Sequence, residues 1–211
     1  MYKFNYFTEE DNEKVIAFMK ENSFAIITGA GNDYPVATQI PLDIKQTNGK
    51  ILLSGHLMRN TDHHKAFLKN GNVLVIFNGP HCYVSASWYT NPNSGSTWNY
   101  MTVQAKGTIK FGDEADTKLA VEAITNKYEK PESAAAFNKL SEEYVNRLVK
   151  AITAFSIEVE SLDNVFKLSQ NHDEETRKSI IGHLRKNGSD NERIIAEEME
   201  IRLEMSKQPN D

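Results

Sequence analysis

The chain has 211 residues, of which 39% are hydrophobic and 25% charged, a composition typical of a globular protein with one substantial core. Its net charge of -5 excludes a general polyanion binder, and a nucleic-acid role would need a local basic patch. A single cysteine excludes an intramolecular disulfide framework. With an acidic N-terminal segment and no run of about 18 apolar residues, the chain is expected to be cytoplasmic, without membrane association.

Short strands and turns are predicted for the first part of the chain. A helix is expected after Thr8, where Thr8 serves as the N-cap and Asp11 completes a capping box. The dipeptide Asn48-Gly49 lies between two β-rich runs and is a strong hairpin signal. The strands expected here cover residues 24–28, 34–41 and 51–57.

The segment Ser54–Asn60 combines a strand end with the start of a short helix that is capped near Thr61 and stops at Gly71. A serine, His56 and Arg59 meet there at a helix N-terminus, a combination that suits a phosphate group. A simple strand-to-helix connection explains the same residues equally well.

The segment Gly79–Tyr100 contains both tryptophans and the only cysteine. It follows a continuous apolar run over residues 73–77, which predicts a strand buried on both faces. Residues 82–89 are expected to form a strand, and the loop after them to form a lid closed by Thr97–Tyr100. Aromatic rings with polar tips need hydrogen-bond partners in a core. The residues alone leave a core plug and a pocket wall equally well supported.

The second half mixes helices with two long strands. Residues 101–111 alternate, which predicts a strand with Gln104 on its polar face. Helices are expected over residues 113–128, 134–140, 142–151 and 173–186 and after Ser189, with a strand over 153–159. Many strands joined by short turns, without regular βαβ alternation, predict a mainly β protein of the α+β class, a small antiparallel barrel with helical additions.

Other candidate sites have simpler explanations. The glycines at positions 29 and 31 lie in a hairpin turn, because no helix follows them as a dinucleotide loop requires. None of the six histidines has metal-ligand spacing, so no metal site is predicted. Cys82 and His81 point to opposite faces of a strand, which favours a buried thiol. The polar residues of Lys167–Asn171 precede a helix and favour a ligand site.

Several stretches together resemble the PaiB family, the FMN-binding negative transcriptional regulators. They are Ala37–Leu42 (ATQIPL), Gly55–Asn60 (GHLMRN), Val73–Tyr89 (VLVIFNGPHCYVSASWY), Thr97–Tyr100 (TWNY) and Lys167–Asn171 (KLSQN). The resemblance covers about residues 1–186. It implies an FMN-binding split-barrel domain with helical insertions over 1–186 and a C-terminal helical extension over 187–211.

The family implies a split β-barrel related to pyridoxamine-phosphate oxidases, acting as a homodimer with FMN at the dimer interface and a small-molecule ligand near the flavin. The phosphate is then expected near Ser54–Asn60, the flavin along Thr38–Ile40, and Trp88 or Trp98 over the ring or the substrate space. The cofactor-binding residues implied are Thr38, Gln39, Ile40, Ser54, Gly55, His56, Leu57, Arg59, Asn60, Trp98, Gln104 and Lys167.

Three functions follow from this reading. The first is an FMN-binding protein, acting as a flavin-dependent oxidoreductase or a negative regulator, for which no catalytic residue is identified. The second is a regulator that acts through DNA or a protein partner without flavin chemistry; the acidic charge disfavours direct nucleic-acid binding. The third is a haem-binding or haem-degrading split barrel, with His56 or His81 as the axial ligand.

Overall fold

A computed structural model describes residues 1, 4–91 and 93–205. Its residues cluster into two compact units. The barrel unit comprises residues 19–77 and 104–162, and the C-terminal unit comprises residues 1–18, 78–103 and those from 163 onward. Each unit is described separately below.

Helices and strands alternate irregularly along the described chain. The helices are α1 (Asn12–Glu21), α2 (Asp62–Lys69), α3 (Glu114–Tyr128), α4 (Glu142–Ala151), α5 (Glu174–Asn187) and α6 (Asp190–Met205). The strands are β1 (Phe24–Gly29), β2 (Val36–Pro41), β3 (Asp43–Thr47), β4 (Lys50–Met58), β5 (Asn72–Val84), β6 (Thr97–Phe111) and β7 (Ile152–Lys167). No helix of the described ranges is long and apolar enough to cross a bilayer.

All seven strands contribute to the barrel unit. They form one sheet in the order β2-β1-β5-β6-β7-β4-β3. Strands β2 and β3 lie at opposite edges of this sheet, yet only Leu42 separates them in sequence. The sheet must therefore curl until its edges are neighbours, although they are not paired. This is a split barrel, and the predicted fold class is confirmed.

Local sequence signals explain several elements of the barrel unit. Asn48 and Gly49 have φ angles of 52° and 76°, so they form the predicted tight turn between β3 and β4. The Thr61 hydroxyl caps α2 by accepting from the His64 N–H. Asp113 and Asp116 form a reciprocal capping box at the start of α3. These caps fix where each helix begins.

Three predicted elements are wrong or incomplete. Helix α1 begins at Asn12, after Asp11 rather than Thr8, and the Thr8 hydroxyl donates to the Phe4 carbonyl instead. Residues 134–140 form no α-helix and contain only the 3₁₀ turn Phe137–Lys139. The run 73–77 is not buried on both faces, because Leu74 and Ile76 are only half-buried. The strand therefore alternates buried and half-buried residues, although it is paired on both sides by β1 and β6.

The aromatic segment also folds differently from its prediction. Strand β5 ends at Val84, and Ala86–Trp88 forms a 3₁₀ turn capped by Ser85, so residues 82–89 are not one strand. Thr97–Tyr100 is the first part of β6 rather than the closure of a lid. The Ser85 hydroxyl accepts from the Ser87 N–H and breaks the ladder at this point.

The C-terminal unit is built on the ends of β5, β6 and β7 with α5 and α6. Helix α6 begins at a cap in which the Ser189 N–H donates to the Glu192 carboxylate at 2.6 Å. It packs against α5. The buried α6 side chains are Ile195, Ala196, Met199 and Leu203. The thin apolar stripe of this helix is thus covered within the chain.

Candidate functional site

A groove of about 910 Å³ lies in the barrel unit, within the size range of ligand pockets. One of its walls is helix α3, and β3, β4, β6 and β7 supply most of the remainder. Its lining residues are Pro41, Asp43, Lys45, Ser54, Gly55, His56, Lys110, Phe111, Gly112, Asp116, Leu119, Ala120, Ala123, Ile124, Lys127, Ala154, Phe155 and Ser156. Three residues of the predicted cofactor site, at positions 54, 55 and 56, are among them.

The floor of the groove is a short stretch of the β4–β7 ladder. Gly55 pairs with Phe155, and His56 pairs with Ala154. A Cβ atom on Gly55 would lie 3.0 Å from the Phe155 ring and 3.3 Å from the Pro41 carbonyl, so only glycine leaves the ring in place without adjustment. Burial lowers the pKa of His56, so its imidazole is neutral at pH 7.

Helix α3 is anchored to this floor at its N-terminal end. Thr117 is fully buried, and its hydroxyl accepts from the Ala154 N–H at 3.0 Å and donates to the Asp113 carbonyl at 2.7 Å. The Gly112 N–H donates to the Ala154 carbonyl at 3.0 Å. Leu119, on the groove side of the helix, remains 64% exposed. The helix therefore presents an apolar wall that no described residue covers fully.

The charges around the groove are mixed but mainly cationic. Lysines at positions 45, 110 and 127 line it with two aspartates. Asp43 forms an ion pair with Lys45 at 3.4 Å, and the Asp116 carboxylate accepts from the Asp113 N–H at 3.2 Å. With three lysines and two aspartates, the lining carries a formal excess of one positive charge, which favours an anionic ligand.

The junction between β4 and α2 differs from a free helix N-terminus. The His63 N–H donates to the Asp62 carboxylate at 2.7 Å, and the His64 N–H donates to the Thr61 hydroxyl at 3.3 Å. Arg59 donates through its backbone N–H to Ala151 and through Nε to the Ile152 carbonyl at 2.7 Å. A phosphate at this junction would thus depend on the Arg59 guanidinium rather than on those two amides.

The remaining predicted residues lie outside the groove lining. In the barrel unit these are Thr38, Gln39, Ile40, Leu57, Arg59, Asn60 and Gln104, of which Ile40 and Leu57 are buried. Trp98 and Lys167 belong to the C-terminal unit. The Trp98 ring is 54% exposed and lies 6.1 Å from the rings of His81 and Tyr83. Burial lowers the pKa of Lys167, which hydrogen-bonds Thr97.

The polar side chains of the turn after β7 form hydrogen bonds within the protein. The Ser169 hydroxyl donates to the Asn99 side-chain oxygen at 3.1 Å, and both residues are buried. The Gln170 side chain accepts from the Leu168 N–H at 2.7 Å. Ser169 has a φ of 62°, which these contacts hold in place. The polar side chains at positions 169 and 170 therefore stabilise the turn.

Sequence reasoning missed the contribution of α3 and of the lysines. Ala120, Ala123 and Ile124 follow ordinary helical spacing, which does not distinguish a groove wall from a core face. A weak signal existed in Lys110, a cation at the end of an alternating strand. Within the described ranges, no group of three or more His, Cys, Asp or Glu residues is placed to hold a metal ion. Burial raises the pKa of Cys82 to about 12, which leaves the thiol protonated.

Comparison with known families assigns the chain to a class of flavin-binding domains. The family model described as "Putative FMN-binding domain" matches residues 1–161, and the chain belongs to this family. The chain is 31% identical over 204 residues to "Protease synthase and sporulation protein PAI 2" of Bacillus subtilis (strain 168), covering 96% of this chain and 98% of that protein. The predicted PaiB-family membership is confirmed.

Solved structures with a similar fold include two whose names mention cofactors. The FAD and haem binding protein from Mycobacterium smegmatis matches with a TM-score of 0.58 at 12% identity, covering 82% of this chain and 78% of that one. The flavocytochrome Anf3 from Azotobacter vinelandii matches with a TM-score of 0.57 at 14% identity, covering 84% and 78%. At these identities the likeness establishes the fold alone.

Proposed function

We propose that the chain binds FMN in the barrel unit, with the isoalloxazine ring in the groove beside α3 and the phosphate toward Arg59. The observation that carries the proposal is that Ser54, Gly55 and His56 line this groove in a chain of the FMN-binding family. Arg59 directly follows the last residue of β4, the strand that supplies these three lining residues. One elongated ligand can thus contact both regions.

The chemistry of the groove suits a flavin. Phe155, Phe111 and Leu119 offer apolar surface to a flat ring, while Ser54 and His56 offer polar groups at its edge. The lysines add positive charge that attracts an anionic cofactor. The neutral His56 imidazole adds a hydrogen-bonding group without a charge. These side chains would bind and orient the cofactor.

Bound FMN would supply electron and hydride transfer, and the protein would supply positioning and a shaped site. On this basis an FMN-dependent oxidoreductase is the proposed activity, with a small-molecule substrate beside the ring and a homodimer as the working form. A direct role in negative regulation, with or without flavin, would need sequence-specific DNA binding that weakens with salt, whereas regulation through a protein partner would not. A gel-shift titration at two salt concentrations decides that point.

Haem is the second candidate, and His56 is the observation that favours it. Its imidazole is neutral and lines a cavity, as an axial ligand requires. His81, the other residue considered, is exposed and contacts Trp98 in the C-terminal unit. A Soret band in the purified protein that is lost in His56→Ala, with no flavin absorption beside it, would support haem binding instead of flavin binding.

The direct experiment is a fluorescence titration of the protein with FMN and with riboflavin. Arg59→Ala should weaken FMN binding about 10- to 100-fold, since a charge-assisted hydrogen bond contributes about 1.5–3 kcal/mol. The same substitution should leave riboflavin affinity unchanged, because riboflavin lacks the phosphate. Equal affinities of the parent protein for the two ligands would refute the phosphate assignment.

The position of the ring is tested by blocking the groove. Ala123 lines the groove, and Ala115 is an exposed residue of the same helix outside the lining. Ala123→Trp should abolish flavin binding, while the matched control Ala115→Trp should not change it. Bound FMN at 100-fold its Kd should raise the unfolding free energy by about 2.7 kcal/mol, and if a large excess of FMN leaves this free energy unchanged, the flavin proposal fails.

A further inference from the structure

His64 joins the β4–α2 junction to helix α2 through its ring. Its Nδ1 accepts the Asn60 backbone N–H at 3.1 Å, while its own backbone N–H donates to the Thr61 hydroxyl. The arrangement is a variant of the capping box, in which the imidazole accepts the N–H of the residue before the N-cap Thr61 rather than that of the N-cap itself. The Thr61 hydroxyl also donates to the Met58 carbonyl at 3.1 Å. His64 therefore closes a turn that runs from β4 into α2.

The turn contains a backbone conformation that needs support. Asn60 has a φ of 64°, in the left-handed region that asparagine tolerates better than most residues. The hydrogen bond from the Asn60 N–H to His64 Nδ1 supports this conformation in the residue directly after Arg59. The His64 ring is only 7% exposed and packs edge-on against Phe111 at 4.9 Å between centroids. Phe111 itself lines the groove.

The hydrogen bond to Nδ1 requires a particular protonation state. A neutral imidazole with its proton on Nε2 accepts at Nδ1, whereas an imidazolium donates at both nitrogens. Protonation would therefore place a donor N–H of the ring opposite the donor N–H of Asn60, and the hydrogen bond between them would be lost. The charged and titratable groups around the ring are Arg59 from the end of β4, and His63 and Lys65 from α2; β6 contributes only the apolar ring of Phe111.

We propose that His64 is a positioning residue of the flavin site, whose neutral imidazole holds the Arg59–Asn60 turn and whose protonation opens that turn and weakens FMN binding. This inference rests on the proposed function for its ligand, but the cap exists independently of the ligand. Burial, Arg59, His63 and Lys65 all lower the pKa of His64 below its ordinary value of 6.5. The closed turn is thus fully present above pH 6.5 and is lost as the pH falls through the lowered pKa.

The expected effect has an upper bound. For a group that must be neutral, affinity falls by the factor 1 + 10^(pKa − pH), so with a pKa below 6.5 the loss at pH 5.5 is at most about tenfold. The FMN phosphate also titrates, with a pKa near 6, and adds its own pH dependence. A variant whose acceptor at position 64 does not titrate separates the two contributions, because its FMN affinity depends on pH only through the phosphate.

The experiment is an FMN titration of the full chain at pH 7.5 and 5.5. His64→Asn supplies an amide oxygen that accepts at every pH, so its affinity should fall less between the two pH values than that of the parent. His64→Phe keeps the ring against Phe111 but removes the acceptor, so it should bind weakly at both pH values. The control His183→Gln replaces an exposed histidine of the C-terminal unit and should keep the pH dependence of the parent. Equal pH dependence in the parent and His64→Asn would overturn the inference.

A readout without FMN separates this inference from the proposed function. The imidazole ¹⁵N shifts of His64 should report a neutral ring protonated at Nε2 at pH 7.5, and the Asn60 amide should lose protection from hydrogen exchange in His64→Phe but not in His64→Asn. If these hold while no variant binds FMN, the cap stands and the flavin proposal fails. If the Asn60 amide is equally protected in all variants, the positioning role is refuted.

Discussion

Replacing Thr117 by valine should detach helix α3 from the barrel floor with almost no change in side-chain volume. The Thr117 hydroxyl is the acceptor for the Ala154 N–H, at a point where β6 has already ended and offers no carbonyl. The Asp113 carbonyl loses one donor but still accepts the Thr117 backbone N–H. The cost is therefore that of one buried, unsatisfied N–H group, about 1–3 kcal/mol.

This magnitude is measurable by urea denaturation and by thermal unfolding. A loss of about 2 kcal/mol in a chain of this size lowers Tm by about 4–8 °C. The urea m value should not change, because the same surface is exposed on unfolding. FMN affinity should fall in the same variant, since α3 forms one wall of the proposed site.

Thr125→Val is the matched control on the same helix. The Thr125 hydroxyl donates to the Val121 carbonyl at 2.8 Å within α3, so its removal leaves no buried donor without a partner. Its cost should be below about 0.5 kcal/mol. Thr117→Ser, which keeps the hydroxyl, should recover most of the lost stability. If Thr117→Val is as stable as Thr125→Val, the anchoring role assigned to Thr117 is wrong.

Three further outcomes follow from the described contacts. Gly55→Ala should displace the Phe155 ring and cost about 1–3 kcal/mol by overpacking, with a matching loss of FMN affinity; a crystal structure with an unmoved ring would contradict this. Ser169→Ala should cost about 1–3 kcal/mol, because the buried Asn99 amide loses both hydrogen bonds to Ser169 and keeps only the weak acceptor sulfur of Met199, and urea denaturation measures this. Cys82 should react with a disulfide reagent at pH 8 only after unfolding, since its pKa is raised to about 12; rapid labelling of the folded protein would refute this.

Some turns and helix caps that depend on one or two neighbouring residues were predicted correctly from the sequence. The Asn48-Gly49 turn and the Thr61 cap were predicted because each depends on the chemistry of one or two neighbouring residues. The Thr8 cap failed because Asp11 competes for the same role, and its carboxylate accepts the Glu13 N–H at 3.0 Å. Sequence pattern does not rank two good capping residues three positions apart.

The hydrophobic periodicity of the sequence could not predict contacts between segments that are distant in the chain. The strand predicted for residues 82–89 stops at Val84 because a serine cap starts a 3₁₀ turn, and nothing in the aromatic pattern reveals this. The groove depends on α3 lying against a floor of β4 and β7, elements that are distant in sequence. The hydrogen bond between Ser169 and Asn99 likewise joins the KLSQN and TWNY motifs. Each motif could be recognised in the sequence, but the contact between them could not be predicted. Pairing of this kind is decided by packing.

The single-residue link at Leu42 has a consequence for assembly of the barrel unit. The hairpins β1–β2 and β3–β4 can form early, since each pairs neighbouring segments, whereas the β4–β7 ladder joins distant ones and must wait for loop closure. Strands β2 and β3 would each offer a bare edge for pairing with another molecule. Because buried Leu42 ties the two together, completing the last ladder also brings the two unpaired edges side by side, which narrows the space in which a strand of another molecule could pair with either.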